Sequence, residues 1–442
     1  MGNKVIIIGA GIAGLSAAVQ LAGKGFIVKI FEARKNIGGR MFAFTHTATG
    51  EMIDNGQHII SGAYTEFLSL LDELGTSQYL KSSDGLKVHF ALPDNKKYVL
   101  DTSSFQGNLG IIAGLLKFEA IALSSKFQLI SFFIKLKFRR IKPDGLSCYD
   151  LLKNEHQSDE IIHIFWEPLI LAVMNARPED IAATLLLEVL QRAFFAGGKS
   201  SDLLLSTREL TSLLQPFTKW LTGKGGEINL HSPVESILVE NGKARGIVLK
   251  NGDKFCADTV ISTVQARTLY KLIPAVSQKV EYEYLSKFSY STIINIYYWL
   301  DQHIETPDFT AMLGTNSQWM FNRRNFIAVP TEIKTKYPGM LNITISGAND
   351  LAGISSARLA AGCFDEVKSC FSEFSEVEVL HSEVIKDKYA TFATSLETEK
   401  LRPEPTGLIA SLLIAGDWTN TGLPATIESA AVSGKKTAEF LK

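Results

Sequence analysis

Residues 4–40 read KVIIIGAGIAGLSAAVQLAGKGFIVKIFEARKNIGGR. The apolar run from Val5 to Ile8 predicts a buried strand that leads into Gly9-x-Gly11-x-x-Gly14. A helix follows, then a second strand from Ile27 to Phe31 that ends at Glu32. Gly9 permits the tight turn, Gly11 lets backbone N–H groups approach a pyrophosphate, and Gly14 lets the helix pack close to the strand. The helix N-terminus supplies partial positive charge to the phosphates. Glu32 lies 18 residues beyond Gly14, where a carboxylate accepts hydrogen bonds from both adenosine ribose hydroxyls. The same charge repels a 2′-phosphate, which excludes NADP. A lone glycine motif is weak evidence. The preceding strand, the following helix and the acid at this distance make it specific for a dinucleotide.

The next residues, Gly38-Gly39-Arg40, resemble the extended FAD fingerprint of glutathione-reductase-like and amine-oxidase-like flavoproteins. Two glycines let the chain pass the pyrophosphate, and Arg40 offsets its charge. The resemblance implies an α/β fold: a Rossmann-like FAD-binding domain of the glutathione-reductase/amine-oxidase type, with FAD as cofactor. Ala13, Ala33, Arg34 and Met41 join Gly9, Gly11, Gly14, Glu32, Gly39 and Arg40 as candidate cofactor contacts.

A chain of 442 residues exceeds what one core supports. The pattern predicts two interleaved domains. Residues 1–85, 208–275 and 395–442 would form the FAD-binding domain. Residues 86–207 and 276–394 would form an α+β substrate domain, with an apolar helical region at 105–142. The 45 basic and 46 acidic residues give a net charge of −1, which offers nothing to nucleic acid. Cys148, Cys256, Cys363 and Cys370 make no CxxC, and no metal site is expected. Cys363 and Cys370 are seven apart, one shared helix face, and the chain suits the reducing cytosol. The N-terminal apolar run is broken by glycines in phosphate-loop order, so it does not read as a signal peptide. Ile6 stands where a myristoylation signal needs Ser or Thr. No run reaches the roughly 18 apolar residues of a membrane span.

Helices are predicted from Tyr64 to Leu74, near 147–155, 159–174 and 179–195, from Glu209 to Thr222 and from Ser355 to Phe371. Residues 86–100 alternate like a hairpin around Pro93-Asp94-Asn95. Short strands separated by Asn241-Gly242 and Asn251-Gly252 occupy 227–262. Strands are also predicted at Thr292 to Leu300, Trp319 to Phe321 and Leu341 to Ser346. Leu408 to Ala415 forms a last strand, and a final helix runs to Lys442.

That last strand ends in Gly416-Asp417, and Thr421-Gly422-Leu423-Pro424-Ala425-Thr426-Ile427 opens the final helix. This resembles the C-terminal FAD motif of the amine-oxidase and phytoene-desaturase superfamily. The resemblance implies that Asp417 sits by the ribityl or pyrophosphate part, and that Gly422, Ala425, Thr426 and Ile427 approach the isoalloxazine. A helix end there favours the negative charge of the reduced ring. Val234 matches the family position whose backbone faces the adenine.

More specific blocks follow. Asp54-Asn55-Gly56-Gln57-His58, Trp166-Glu167-Pro168-Leu169 with Asn175, and Gly197-Gly198-Lys199-Ser200-Ser201-Asp202-Leu203-Leu204 are three of them. Gln318-Trp319 with Arg323, Ala390-Thr391-Phe392-Ala393, and Gly416-Asp417-Trp418-Thr419 with Glu428 complete the set. Together they resemble the squalene-associated FAD-dependent desaturases, the hydroxysqualene dehydroxylases, from Lys4 to Leu441. The resemblance implies that Asn55, Gly56, Gln57 and His58 also contact FAD. It implies reductive removal of the hydroxyl of hydroxysqualene, with reduced FAD supplying hydride and squalene feeding hopanoid synthesis. An electron donor is required that the sequence does not identify.

Hydroxide leaves poorly, so such a reaction needs a proton donor beside an apolar C30 chain in a dry tunnel. Glu167, His58 and Asp202 are the candidates. Phe165, Trp166, Pro168 and Leu169 bracket Glu167 in sequence, and apolar surroundings would keep its carboxyl protonated. Trp166, Tyr298 and Trp319 are candidates to line the tunnel, with one of Tyr297 and Tyr298 turned to the core by strand parity. The 105–142 stretch is apolar and then basic. It reads either as a monotopic contact with anionic lipid on the cytoplasmic membrane face or as a lid over the tunnel. Two other functions stand beside the dehydroxylase: a carotenoid-desaturase-like or amine-oxidase-like flavoenzyme, and a non-catalytic prenyl-lipid escort protein of the same fold.

Overall fold

The computed structural model describes residues 3–83, 85–103, 108–274, 279–407 and 409–441. The apolar segment Lys4–Ile8 is the middle strand of a five-stranded parallel sheet. Its neighbours are Ile27–Phe31 and, beyond it, Glu227–Asn229 on one side, and Thr259–Ser262 and then Leu412–Ile414 on the other. Both faces of such a sheet must be covered, and Val5, Ile6, Ile7 and Ile8 are all buried.

The helix Ile12–Gly23 packs on this sheet, and the helix Ile427–Glu439 lies against it. Small residues let the two backbones meet. A Cβ on Gly434 would strike the Ala13 carbonyl, and Ser16 Oγ donates to the Ala431 carbonyl at 2.8 Å. The two ends of the chain thus form one packed unit.

A seven-stranded mixed sheet stands beside it. Its order is Val379–Phe392, Tyr290–Leu300, Gly339–Ile345, Trp319–Asn322, Phe309–Met312, Lys87–Leu92 and Lys96–Asp101. The last two make the expected hairpin, with Asp94 and Asn95 at φ 65° and 59°. Two adjacent positive-φ residues match the right-handed twist of the strands. Alternation along Tyr290–Leu300 sends Tyr297 and Trp299 to one face and Tyr298 to the other, against the helix Ser356–Cys370. Cys363 and Cys370 are both buried on that helix.

Two predicted helices are interrupted, each near a proline. The 209–222 helix splits into Leu210–Leu214 and Phe217–Gly223 around Pro216. The 159–174 helix becomes Asp159–Ile161, a π turn over Ile162–Trp166, and Glu167–Met174. Pro168 has no N–H to return to the Ile164 carbonyl, and the chain widens just before it.

The apolar region contains the helices Asn108–Lys117 and Leu123–Lys137. With Cys148–Asn154 and Ala183–Phe195 they cover one end of the mixed sheet, in a single apolar cluster that reaches Trp319. Among the described residues no helix is long and apolar enough to cross a membrane. The expected boundary at 275–276, residues 105–107 of the apolar region, Leu408, Met1, Gly2 and Lys442 lie outside the described residues.

Candidate active site

The phosphate loop is held from both sides. Glu32 is buried and accepts the Ala10 N–H on Oε2 and the Arg34 N–H on Oε1, each at 2.8 Å. Each carboxylate oxygen keeps a further acceptor site for a hydroxyl. The Gly38 N–H donates to the Ala10 carbonyl at 2.7 Å, and Gly11 bridges Gly38. A Cβ on Gly14 would collide with the Gly9 carbonyl. One on Gly39, at φ +62°, would lie 3.0 Å from Gly11 Cα. The two glycine segments therefore pack as bare backbone.

No side chain caps the helix that starts after Gly11, so its first N–H groups remain available to an anion. A cavity of about 450 Å³ opens beside this loop, lined by Ala33, Arg34, Lys35, Asn36, Gly39, Phe42 and His231. Met41, by contrast, is buried in the core, and the Ala13 carbonyl faces Gly434. Val234 is half-buried at the start of its strand, two residues from Ser232, whose N–H reaches the Glu32 carbonyl.

The C-terminal motif joins this loop through Arg40. Its Nη2 donates to Asp417 Oδ1 at 2.7 Å and its Nη1 to the Ala390 carbonyl at 2.7 Å. Arg402, fully buried, holds the Asp417–Thr421 loop through the Asp417 and Thr419 carbonyls and Thr421 Oγ1. No motif in the sequence includes Arg402. Gly416 takes φ +146° against Trp418, and its N–H donates to Ser433 Oγ. Thr426 caps the last helix through the Ser429 N–H. Ile427 packs on the core with the first helix, and Ala425 packs near Trp418. Gly422, at φ +74°, faces open space. Glu428 accepts from the Glu66 and Phe67 N–H groups and Thr65 Oγ1, and so caps the helix Thr65–Glu73.

The Asp54–His58 segment meets the mixed sheet. Arg323 is wholly buried and its Nη1 reaches Asp54 Oδ2 at 3.1 Å and Gln57 Oε1 at 2.6 Å. Tyr297 Oη donates to the Asp54 carbonyl, and Asn295 fills the space beside Gly56. Next to it, Arg324 forks onto both oxygens of Glu51, which also accepts Trp299 Nε1. In sequence Arg323 stood as a motif residue and Arg324 carried no signal. Asn55 Oδ1 is buried without a partner among the described residues.

The three candidate acids differ. Both oxygens of buried Asp202 are engaged: Oδ2 accepts Ser82 Oγ–H and Oδ1 accepts the Gly85 N–H. It neither caps a helix nor has an oxygen without a donor. His58 Nδ1–H donates to the Gly56 carbonyl at 2.9 Å, leaving Nε2 as an acceptor. Burial lowers its pKa, with the Gly56 carbonyl and Asp54 pulling the other way. A folded-state pKa below the unfolded value costs stability as pH falls below about 6.5. His58→Gln should flatten that loss, whose limiting slope is about 1.4 kcal/mol per pH unit. Urea midpoints between about pH 7 and pH 5 check this; parallel curves for the two proteins would refute it.

Glu167 lines a second cavity, about 500 Å³, with His163, Gln318, Trp319 and Gly347. Its Oε2 accepts His163 Nδ1–H at 3.0 Å, and its side chain is 35% exposed. The apolar enclosure expected of it is absent. Phe165 and Trp166 turn away into a stack with Phe132 and Phe133. Trp166 is wholly buried there, with Nε1–H on Gln157, in packed core and not on the Glu167 cavity. Tyr298 is also displaced: its hydroxyl donates to the Ala360 carbonyl on the far side of the sheet. Tyr297 takes the inward position. Of the three expected tunnel residues, Trp319 borders this second cavity.

This arrangement suits FAD: an uncapped helix N-terminus, a cradle that a Cβ would fill, a buried acid beside it, and a buried unpaired Asn55 Oδ1. Residues 12–441 match the family described as flavin containing amine oxidoreductase. A hydroxysqualene dehydroxylase of Rhodopseudomonas palustris is 26% identical over 100% of this chain and 99% of its own. One of Sinorhizobium fredii is 27% identical over 100% and 98%. The 15-cis-phytoene desaturase of Solanum lycopersicum is 24% identical over 99% of this chain and 77% of its own. An oxidoreductase of Methanosarcina mazei superposes with a TM-score of 0.75 at 16% identity, covering 99% of this chain and 100% of that one. The chain belongs to the flavin containing amine oxidoreductase family and is an FAD-type oxidoreductase.

Proposed function

We propose that the chain removes the hydroxyl of hydroxysqualene to give squalene and water. One observation carries this reading. The likeness to hydroxysqualene dehydroxylases runs through 98–99% of their length, against 77% for the phytoene desaturase. Glu32 holds the phosphate loop and Arg40 is joined to Asp417, which favours an enzyme over an escort protein. When bound, reduced FAD supplies the hydride that replaces the hydroxyl.

The chain's own residues supply the rest. The apolar cluster that includes the helix Leu123–Lys137 reaches the Glu167 cavity at Trp319, the side on which a C30 hydrocarbon would lie. Of the three candidate acids Glu167 suits the proton donor, because it faces a cavity and His163 lies within reach to deliver a proton to it. His58 and Asp202 suit holding the cofactor-side loops.

The test is product analysis. With reductant and no oxygen, hydroxysqualene should yield squalene. Desaturation of phytoene, or peroxide formed from an amine in air with no squalene from hydroxysqualene, would overturn the reading. In the same assay Glu167→Gln should keep the flavin spectrum and lose about 10²–10⁴-fold in kcat. Unchanged turnover would remove Glu167 from the acid role.

A further inference from the structure

The helix Leu123–Lys137 has two apolar faces, and the fold uses one of them. Leu129, Phe132, Phe133 and Leu136 are buried in the core. Leu123, Phe127 and Ile134, with Phe138 just past the helix end, are 63%, 59%, 48% and 61% exposed. Their spacing of four, seven and four residues places them along one stripe. Lys126 Nζ donates to the Leu116 carbonyl, which brings Leu116, 44% exposed, to the same end of the helix. Among the described residues, large exposed hydrophobics elsewhere are scattered singly along the chain; these five lie within 23 residues. A continuous patch of this kind marks a contact surface.

The charge beside the stripe says what it contacts. Between 105 and 142 the chain carries seven basic residues and one acidic, in a protein of net charge −1. Lys135 is paired with Glu155. Lys137, Arg139, Arg140 and Lys142 are exposed, and among the described residues no carboxylate pairs with them. Arg140 lies over the Phe138 ring at 5.7 Å, so cation and aromatic meet at the end of the stripe. A second copy docked by two-fold symmetry would bring these cations together, which is repulsive.

We infer that this face lies on the surface of an anionic lipid bilayer, the aromatic and aliphatic side chains among the acyl chains and the cations at the headgroups. The lid and the docking surface are then two faces of one helix. This inference does not rest on the dehydroxylase reading.

The test is flotation of the FAD-loaded protein with vesicles, in low and high salt. Vesicles of phosphatidylcholine with phosphatidylglycerol should carry the protein upward, and salt should release most of it; pure phosphatidylcholine should carry little. Phe127→Ser with Phe138→Ser replaces exposed side chains. It should retain flavin colour and lower the bound fraction about tenfold. Lys137→Glu with Arg140→Glu should do the same by removing the charge. Wild-type protein that stays unbound with both vesicles overturns the inference. So does flotation that the serine variant leaves unchanged. Conversion of a dimer to a monomer by that variant, without any flotation, would assign the face to a second copy instead.

Discussion

Gly39→Val should purify without flavin colour. Gly39 sits at φ +62°, where a β-branched residue is an outlier, and its Cβ would stand 3.0 Å from Gly11 Cα. The atoms it would meet are Gly11 backbone, so no flexible side chain can yield. The strain displaces either Gly11, which opens the uncapped helix, or Arg40, which reaches Asp417. Strain of about 3 kcal/mol at such a position corresponds to roughly a 100-fold loss of FAD affinity. Gly242→Ala is the control: φ is +72°, the added methyl meets open space, and the residue sits in the Asn241-Gly242 turn outside the cofactor motifs. Its cost should be about 1 kcal/mol and leave the protein yellow. Equilibrium dialysis against FAD checks both. A Gly39→Val protein that keeps one FAD per chain would show that the glycine cradle does not hold the cofactor.

Arg323→Met should cost about 3–5 kcal/mol of folding stability, a large share of the ~5–15 kcal/mol typical of a domain. The arginine and Asp54 are both fully buried, so removing the cation leaves a carboxylate in a low-dielectric interior. Gln57 Oε1 loses its donor in the same step. Replacing both charges in Arg323→Met with Asp54→Asn should recover part of the loss, since Asn keeps an acceptor for the Leu210 N–H. Urea unfolding of the singles and the double gives the coupling directly. Additive losses would mean that the pair does not join the Asp54–His58 loop to the mixed sheet.

Much of this was legible because its chemistry is local. The strand, glycines, helix and acid of residues 4–32 signal one another at fixed spacing, and they fold as that spacing requires. The Pro93–Asn95 turn was equally plain, because the alternation on either side admits one register. Pairings across hundreds of residues were not legible. Arg40 was expected to meet phosphate, and its bond to Asp417, 377 positions away, was not foreseen. Arg323 stood in the sequence as a motif residue without a partner and Arg324 carried no signal, because sequence cannot show that Asp54 and Glu51 are buried beneath the sheet. Glu167 misled in the opposite sense. Its sequence neighbours are apolar, but on a helix adjacent residues point in different directions, so Trp166 is buried while Glu167 meets solvent. Tyr298 failed on parity alone: alternation says that two adjacent tyrosines part company, and not which of them faces inward.

The direction of electron flow is the core of the account, and a single anaerobic turnover tests it. Enzyme whose FAD has been reduced beforehand is mixed with hydroxysqualene, while absorbance and product are followed together. The yellow band should return as squalene appears, one molecule for each flavin. A band that stays bleached with hydroxysqualene, while oxidised enzyme bleaches with phoytene-type polyene or amine, would contradict the account.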